Sequence, residues 1–147
     1  MSTRGLLAFR FEGRDYVTYN HSDSYPKALG ARIIVFAQEH LNGKEAIQAF
    51  GRKIAALEWV SPAREARAFR PQGWDLLAAI AGNRITRVLA DNDLFHTCMD
   101  GEFAYVLDLD KRVLEFWDMP GHERVASFPL VSISLCAVDI MECERRR

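Results

Sequence analysis

Apolar and polar positions along the first 26 residues predict a β-hairpin followed by a loop. Residues 5–11 are mostly apolar, and residues 15–19 are rich in β-branched and aromatic types, as is typical of strands. Gly13 lies between the two segments and suits a tight connection. Residues 20–26 are polar and end at Pro26, which pushes the preceding residue towards extended geometry and predicts a loop.

The middle of the chain shows helical spacing instead. Apolar side chains recur every three or four positions, and Asn42-Gly43 and Ser61-Pro62 interrupt the pattern as helix ends do. The predicted helices cover residues 27–41, 44–60 and 74–81, with a shorter one at 63–70. The pattern of residues 85–95 is ambiguous.

Strand patterns return in the last third of the chain. Residues 103–109 and 113–117 predict a second hairpin around Asp110-Lys111, and residues 125–128 add a strand. Apolar and small polar residues alternate over residues 131–137, which predicts a final strand with one wetter face. Strands at both ends and helices between them predict an α+β fold, with antiparallel sheet and segregated helices.

Length and composition predict one globular domain over residues 1–147. Of these residues, 49% are hydrophobic and 11% aromatic, which is typical of a chain with a packed core. Nineteen basic and twenty acidic residues leave a net charge of -1, and the only basic run is residues 145–147. We therefore expect no nucleic-acid partner. No apolar stretch approaches the roughly 20 residues of a membrane span, so no membrane partner is expected either.

Cysteine usage and motif content predict a cytoplasmic chain without a cofactor. Cys98, Cys136 and Cys143 form an odd set without CxxC spacing, which argues against disulfides and tetrahedral zinc. The start of the chain lacks the apolar segment of a secretory signal. No histidine pair has the spacing of a helical metal site, and no glycine-rich phosphate motif is present.

The loop at residues 19–26, with the sequence YNHSDSYP, has the densest group of polar side chains. Functional groups favour loops held between rigid elements. His21 is a candidate acid or base, with Asp23 orienting it. The alternative is a structural turn and helix cap, in which Asn20, Ser22 and Asp23 satisfy backbone donors.

A second candidate is the start of the chain. Removal of Met1 would leave Ser2 with a free α-amine, and an N-terminal serine can act as a nucleophile with its own amine as base. The alternative is that Ser2 has no catalytic meaning, since serine is common at the second position.

Several strings resemble a family of small bacterial and phage proteins to which no activity is assigned. The strings are TRG at residues 3–5, YNHxDSYP at 19–26, LG at 29–30, FAYVLDLD at 103–110 and LE at 114–115. They span most of the chain. The resemblance implies an origin in a phage or mobile element.

The start of the chain is also similar, at the level of fold, to N-terminal nucleophile hydrolases of the choloylglycine type. That similarity implies a small layered sandwich with Ser2 at the position of the nucleophilic cysteine. Arg4, Asn20 and Asp23 would then match the residues around it.

Two functions follow as hypotheses. The first is a non-catalytic module that binds a protein or small ligand through residues 20–25. Its candidate binding residues are Tyr19, His21, Ser24, Tyr25 and Trp117. The second is an amide hydrolase that uses Ser2, with Arg4, Asn20 and Asp23 positioning substrate and stabilising charge.

Overall fold

The computed structural model describes residues 3–60, 72–89, 102–120 and 123–145. Its strands are β1 Gly5–Phe11, β2 Arg14–Asn20, β3 Glu58–Val60, β4 Arg87–Leu89, β5 Phe103–Asp108, β6 Val113–Asp118 and β7 Glu123–Pro129. Its helices are α1 Ala31–His40, α2 Lys44–Ala56, α3 Gly73–Ala81 and α4 Cys136–Arg145, and one π-helical turn, Pro26–Gly30, leads into α1. The predicted α+β class is confirmed.

The main sheet has the strand order β2-β1-β5-β6-β7. Both predicted hairpins are present, and the three C-terminal strands are antiparallel as expected. The central pair differs, because β1 and β5 run parallel, with Gly5 opposite Phe103. The expectation of an antiparallel sheet is therefore wrong at this position. A parallel pair needs a long crossover, and here the connection from β1 to β5 passes through β2 and the helices.

One face of the main sheet packs against the helices. Leu7 and Phe9 of β1 and Tyr105 of β5 point to this face and are fully buried. They join a core that includes side chains from all four helices. Tyr105 and Phe116 pack with ring centroids 5.4 Å apart. This core fixes the position of the helices over the sheet.

The opposite face carries a second apolar cluster and a group of charges. The cluster consists of Leu6, Ala8, Val17, Tyr19, Ala104, Val106 and Met119. Beside it, Arg10 Nη1 donates to the buried Asp108 carboxylate at 3.0 Å, and Arg10 Nε donates to Asp15 at 2.8 Å. Burial alone would lower the pKa of Arg10, but the hydrogen bonds and charges of Asp15 and Asp108 outweigh it and raise the pKa. Arg10 therefore stays cationic.

The second predicted helix is shorter than its pattern indicates. It ends at Ala56, and Leu57 turns to extended geometry with ψ 153°. The chain then forms β3, which pairs in parallel with β4. Trp59 fits the helical spacing of the preceding apolar residues, but it lies in β3. Its ring packs against Tyr16, at 4.9 Å between centroids. The predicted continuation of the helix to residue 60 is wrong.

The final predicted strand, at residues 131–137, is also wrong. The chain turns there and continues as α4. The alternating residues do not share one buried face, since Val131 is 59% and Leu135 49% exposed while Ile133 is buried. The predicted short helix at residues 63–70 lies outside the described residues.

Candidate functional site

The loop between β2 and the π-helical turn is held by the side chain of Asn20. The Asn20 amide donates to the backbone oxygen of Ser22 at 2.7 Å and to the Ser24 hydroxyl at 2.8 Å. Asn20 and Ser24 are both buried. Since an unmade hydrogen bond is costly when buried, these contacts fix the path of the loop. Asn20 therefore has a structural role, but by donating to a backbone carbonyl rather than by satisfying backbone donors, and the π-helical turn has no side-chain cap.

Ser24 connects the loop to the sheet beneath it. Its backbone N–H donates to the carbonyl of Thr3 at 3.1 Å, and its carbonyl accepts from the Tyr105 hydroxyl at 2.7 Å. Gly5 allows this close approach, because a Cβ there would lie 2.7 Å from the Ser24 Cβ. The loop is therefore anchored on the segment that leads into β1 and on β5.

A third anchor comes from the start of α3. The Gln72 amide oxygen accepts from the backbone N–H of His21 at 2.9 Å. Gly73 follows with φ +54°, and a Cβ there would lie 2.6 Å from Asn20 Oδ1. Only glycine suits both the left-handed backbone and the contact. Gln72 and Gly73 thus bring α3 against the loop.

A cleft of about 220 Å³ lies where the loop, the start of α1 and the start of α3 meet. This space is called the polar cleft, because its polar lining consists of Asn20, Ser22, Asp23, Arg32, Gln72 and Asp75. Asp23, Arg32 and Asp75 are exposed at their side chains. Asp23 has φ +57°, a conformation that aspartate tolerates better than most residues. Two carboxylates and one guanidinium give the cleft a net negative charge.

A second depression of about 560 Å³ adjoins the polar cleft. This apolar groove is lined by Ala28, Ala31, Val35, Trp74 and Leu135, together with the cations Lys27 and Arg32. Ala28, Arg32 and Trp74 line both spaces, so the two lie side by side, and together they are called the depression. Trp74 is held in place by edge-on packing against Phe36, at 6.2 Å between ring centroids.

The candidate binding residues divide between two regions of the molecule. His21 and Tyr25 are exposed on the loop, with Tyr25 40% exposed. Ser24 is fully buried and anchors the loop. Tyr19 and Trp117 belong to the apolar cluster on the opposite face of the sheet, where Trp117 Nε1 donates to Glu115 at 3.1 Å.

The candidate catalytic residues are brought together only in part. Asn20 and Asp23 both line the polar cleft. Arg4 is exposed on the segment before β1, and its carbonyl accepts from the backbone N–H of Glu102. Ser2 lies outside the described residues. The hydrolase hypothesis stays a prediction.

Sequence reasoning missed the residues that α1, α3 and the segment before α4 contribute to the depression. Arg32, Trp74, Asp75 and Leu135 come from three separate segments, and their proximity depends on how the helices pack. One signal was present in the sequence. Trp74 and Asp75 directly follow the Pro71-Gln72-Gly73 break, and an acidic residue at such a position is typical of the first turn of a helix.

Comparisons with known proteins add no further constraint. No protein-family model and no curated protein matches the sequence, and no solved structure matches the fold. Both resemblances drawn from the sequence therefore stay predictions. Among the described residues, no three His, Cys, Asp or Glu side chains are grouped to hold a metal ion. Nor is any helix in the described ranges long and apolar enough to cross a membrane.

Proposed function

We propose that this chain is a non-catalytic binding module that recognises a segment of a partner protein at the depression beside the residue 20–25 loop. The observation that carries the proposal is that the polar cleft and the apolar groove lie side by side and share Ala28, Arg32 and Trp74. Binding sites commonly combine apolar surface with a few fixed polar groups. Of the two ligand classes, a protein segment suits this depression better than a small molecule, because it can fill both parts.

The hydrogen bonds of the loop support binding over hydrolysis. The Asn20 amide donates to the Ser24 hydroxyl and to the Ser22 backbone oxygen, so both side chains act in shaping the surface. The groups left facing solvent on the loop are His21, Asp23 and Tyr25. A rigid loop that presents a few polar and aromatic groups loses little entropy when it binds.

The test is a selection of displayed random decapeptides on the immobilised protein. The same library is selected on Leu135→Asp, which places a charge in the apolar groove, and on Ile140→Asp as the matched control. The two side chains have nearly equal exposure, 49% and 47%, but Ile140 does not line the groove. We expect peptides enriched on the wild type and on Ile140→Asp but lost on Leu135→Asp. If no enriched peptide depends on Leu135, the depression is not the recognition surface.

A further inference from the structure

The charges around the depression are unevenly distributed. Within the described residues, the carboxylates of Asp23 and Asp75 have no hydrogen-bond or ion-pair partner, and both line the polar cleft. Lys27 and Arg32 lie along the apolar groove. One end of the depression is therefore complementary to a cation. The other end combines apolar surface with groups that favour carbonyl or carboxylate oxygens.

The polar cleft keeps its preference for a cation in the presence of Arg32. The lining of the polar cleft includes two carboxylates and one guanidinium, and Arg32 also lines the apolar groove, so its charge is shared between the two spaces. A single cationic side chain between Asp23 and Asp75 would neutralise the cleft. Its aliphatic stem can lie along Trp74, because long basic side chains bury their methylene groups against apolar surface.

The length of the depression limits the spacing of the ligand's side chains. From Ala28 to Val35 the chain advances by roughly 10 Å along the helix, at about 1.5 Å per residue. In an extended peptide, side chains two positions apart point to the same side and lie about 7 Å from each other. Two such side chains therefore fit within the length of the depression, one in the polar cleft and one in the apolar groove.

We propose that the ligand is an extended peptide segment with a lysine or arginine two positions from a large apolar residue. The basic side chain enters between Asp23 and Asp75, and the apolar side chain packs among Val35, Trp74 and Leu135. This inference rests on the proposed function and adds the chemistry of the partner. The inference is supported by charge complementarity at one end of the depression and by apolar contact at the other.

The peptides recovered from the wild-type selection test the inference directly. We expect those that depend on Leu135 to share a basic residue two positions from Leu, Ile, Met, Phe or Trp. One such peptide is then synthesised with a fluorescent label, and its affinity is measured by fluorescence polarisation. The variants are the double substitution Asp23→Asn with Asp75→Asn, and Glu45→Gln as the control on the exposed face of α2.

The double variant should bind about tenfold more weakly, the size of effect expected when a central charged contact is removed. Glu45→Gln should bind within about twofold of the wild type. Added salt should weaken binding to the wild type and leave the double variant nearly unaffected, because salt screens the charge attraction. Asparagine also tolerates the left-handed backbone at residue 23, and circular dichroism checks that both variants are folded.

Two results would overturn the inference, and they differ from failure of the proposed function. Peptides that depend on Leu135 but lack a basic residue would refute the cation contact and leave the binding surface intact. Unchanged affinity in the double variant would do the same. The absence of any peptide that depends on Leu135 would instead refute the proposed function, and the inference with it.

Discussion

The two ends of the main sheet both contain left-handed residues, yet they are stabilised by different groups. At one end, Glu12 and Gly13 form the turn between β1 and β2, and their backbone N–H groups donate to the Asp110 carboxylate at 2.7 and 3.0 Å. At the other end, Asn20, Ser24 and Gln72 hold the residue 20–25 loop. Carboxylates therefore hold the turn at the first end, and neutral amides and hydroxyls hold the loop at the second.

The difference separates carboxylates that bond to the backbone from the carboxylates that our proposal assigns to a ligand. At the turn end, Asp108 and Asp110 accept backbone hydrogen bonds, and Asp108 also pairs with Arg10. At the loop end, neutral groups satisfy the backbone. The carboxylates of Asp23 and Asp75 therefore keep their hydrogen-bonding capacity for another molecule, as far as the described residues show. A neutral scaffold leaves the charges of a surface available for a ligand.

The largest effect is expected at the turn end, for Asp108→Ala. This change removes a fully buried carboxylate that accepts from Arg10 Nη1 and from the Lys111 backbone. Breaking a buried pair typically lowers the free energy of unfolding by about 3–5 kcal/mol. Arg10 is partly exposed and keeps Asp15, so we expect about 2–3 kcal/mol here. Urea unfolding measures the loss.

Asp15→Ala is the control for that prediction. It removes the more exposed partner of the same guanidinium, whose side chain is 48% exposed against 0% for Asp108. We expect a loss below about 1 kcal/mol, as for surface ion pairs. Equal losses in the two variants would show that burial of Asp108 does not decide the effect.

The next effect is expected at the loop end, for Asn20→Ala. The change removes two donated hydrogen bonds and leaves the buried Ser24 hydroxyl without its donor. At about 1 kcal/mol for each bond, the free energy of unfolding should fall by about 2 kcal/mol. Ser22→Ala is the control, because Ser22 contributes only its backbone oxygen to this contact. A similar loss in the control would mean that any change in the loop destabilises the fold.

A smaller loss is expected for Gly73→Ala, which acts on the contact between α3 and the loop. The new Cβ would lie 2.6 Å from Asn20 Oδ1, and φ is +54°. Together these should lower the free energy of unfolding by about 1–2 kcal/mol. Gly13→Ala is the matched control, since its φ is also positive, at +76°, but its Cβ would meet nothing within 4 Å, so it should lose less. Thermal unfolding of both variants measures the two losses. An unchanged stability for Gly73→Ala would show that α3 is not packed tightly against the loop.

The sequence predicted the hairpins of the sheet but not its long-range strand pairs, for a physical reason. Both hairpins depend on neighbouring residues, so alternation and turn residues such as Gly13 and Asp110 were sufficient to predict them. The parallel pairing of β1 with β5 and the short β3–β4 pair join distant segments, and local patterns carry no signal for them. The α4 helix was hidden because the turn before it alternates like a strand.

The same holds for the candidate site, where the local loop was predicted and the surface formed by distant segments was not. The polar loop was predicted from its composition, and Asn20 and Asp23 do line the polar cleft. The apolar groove was not predicted, since Val35, Trp74 and Leu135 meet only after the helices have packed on the sheet. Trp117 was chosen as an aromatic anchor by residue type alone, and it lies on the opposite face.

The smallest effect compares carboxylates at the two ends, through Asp110→Asn and Asp23→Asn. Asp110 accepts two backbone hydrogen bonds, so its neutral analogue should lower the free energy of unfolding by about 1 kcal/mol. The Asp23 side chain has no partner among the described residues, and asparagine tolerates its φ of +57°, so the change should stay within about 0.5 kcal/mol. Urea unfolding of both variants at one salt concentration measures the two changes in the free energy of unfolding. A large loss for Asp23→Asn would mean that this carboxylate stabilises the loop, and Asp23 would no longer count as a group reserved for a ligand.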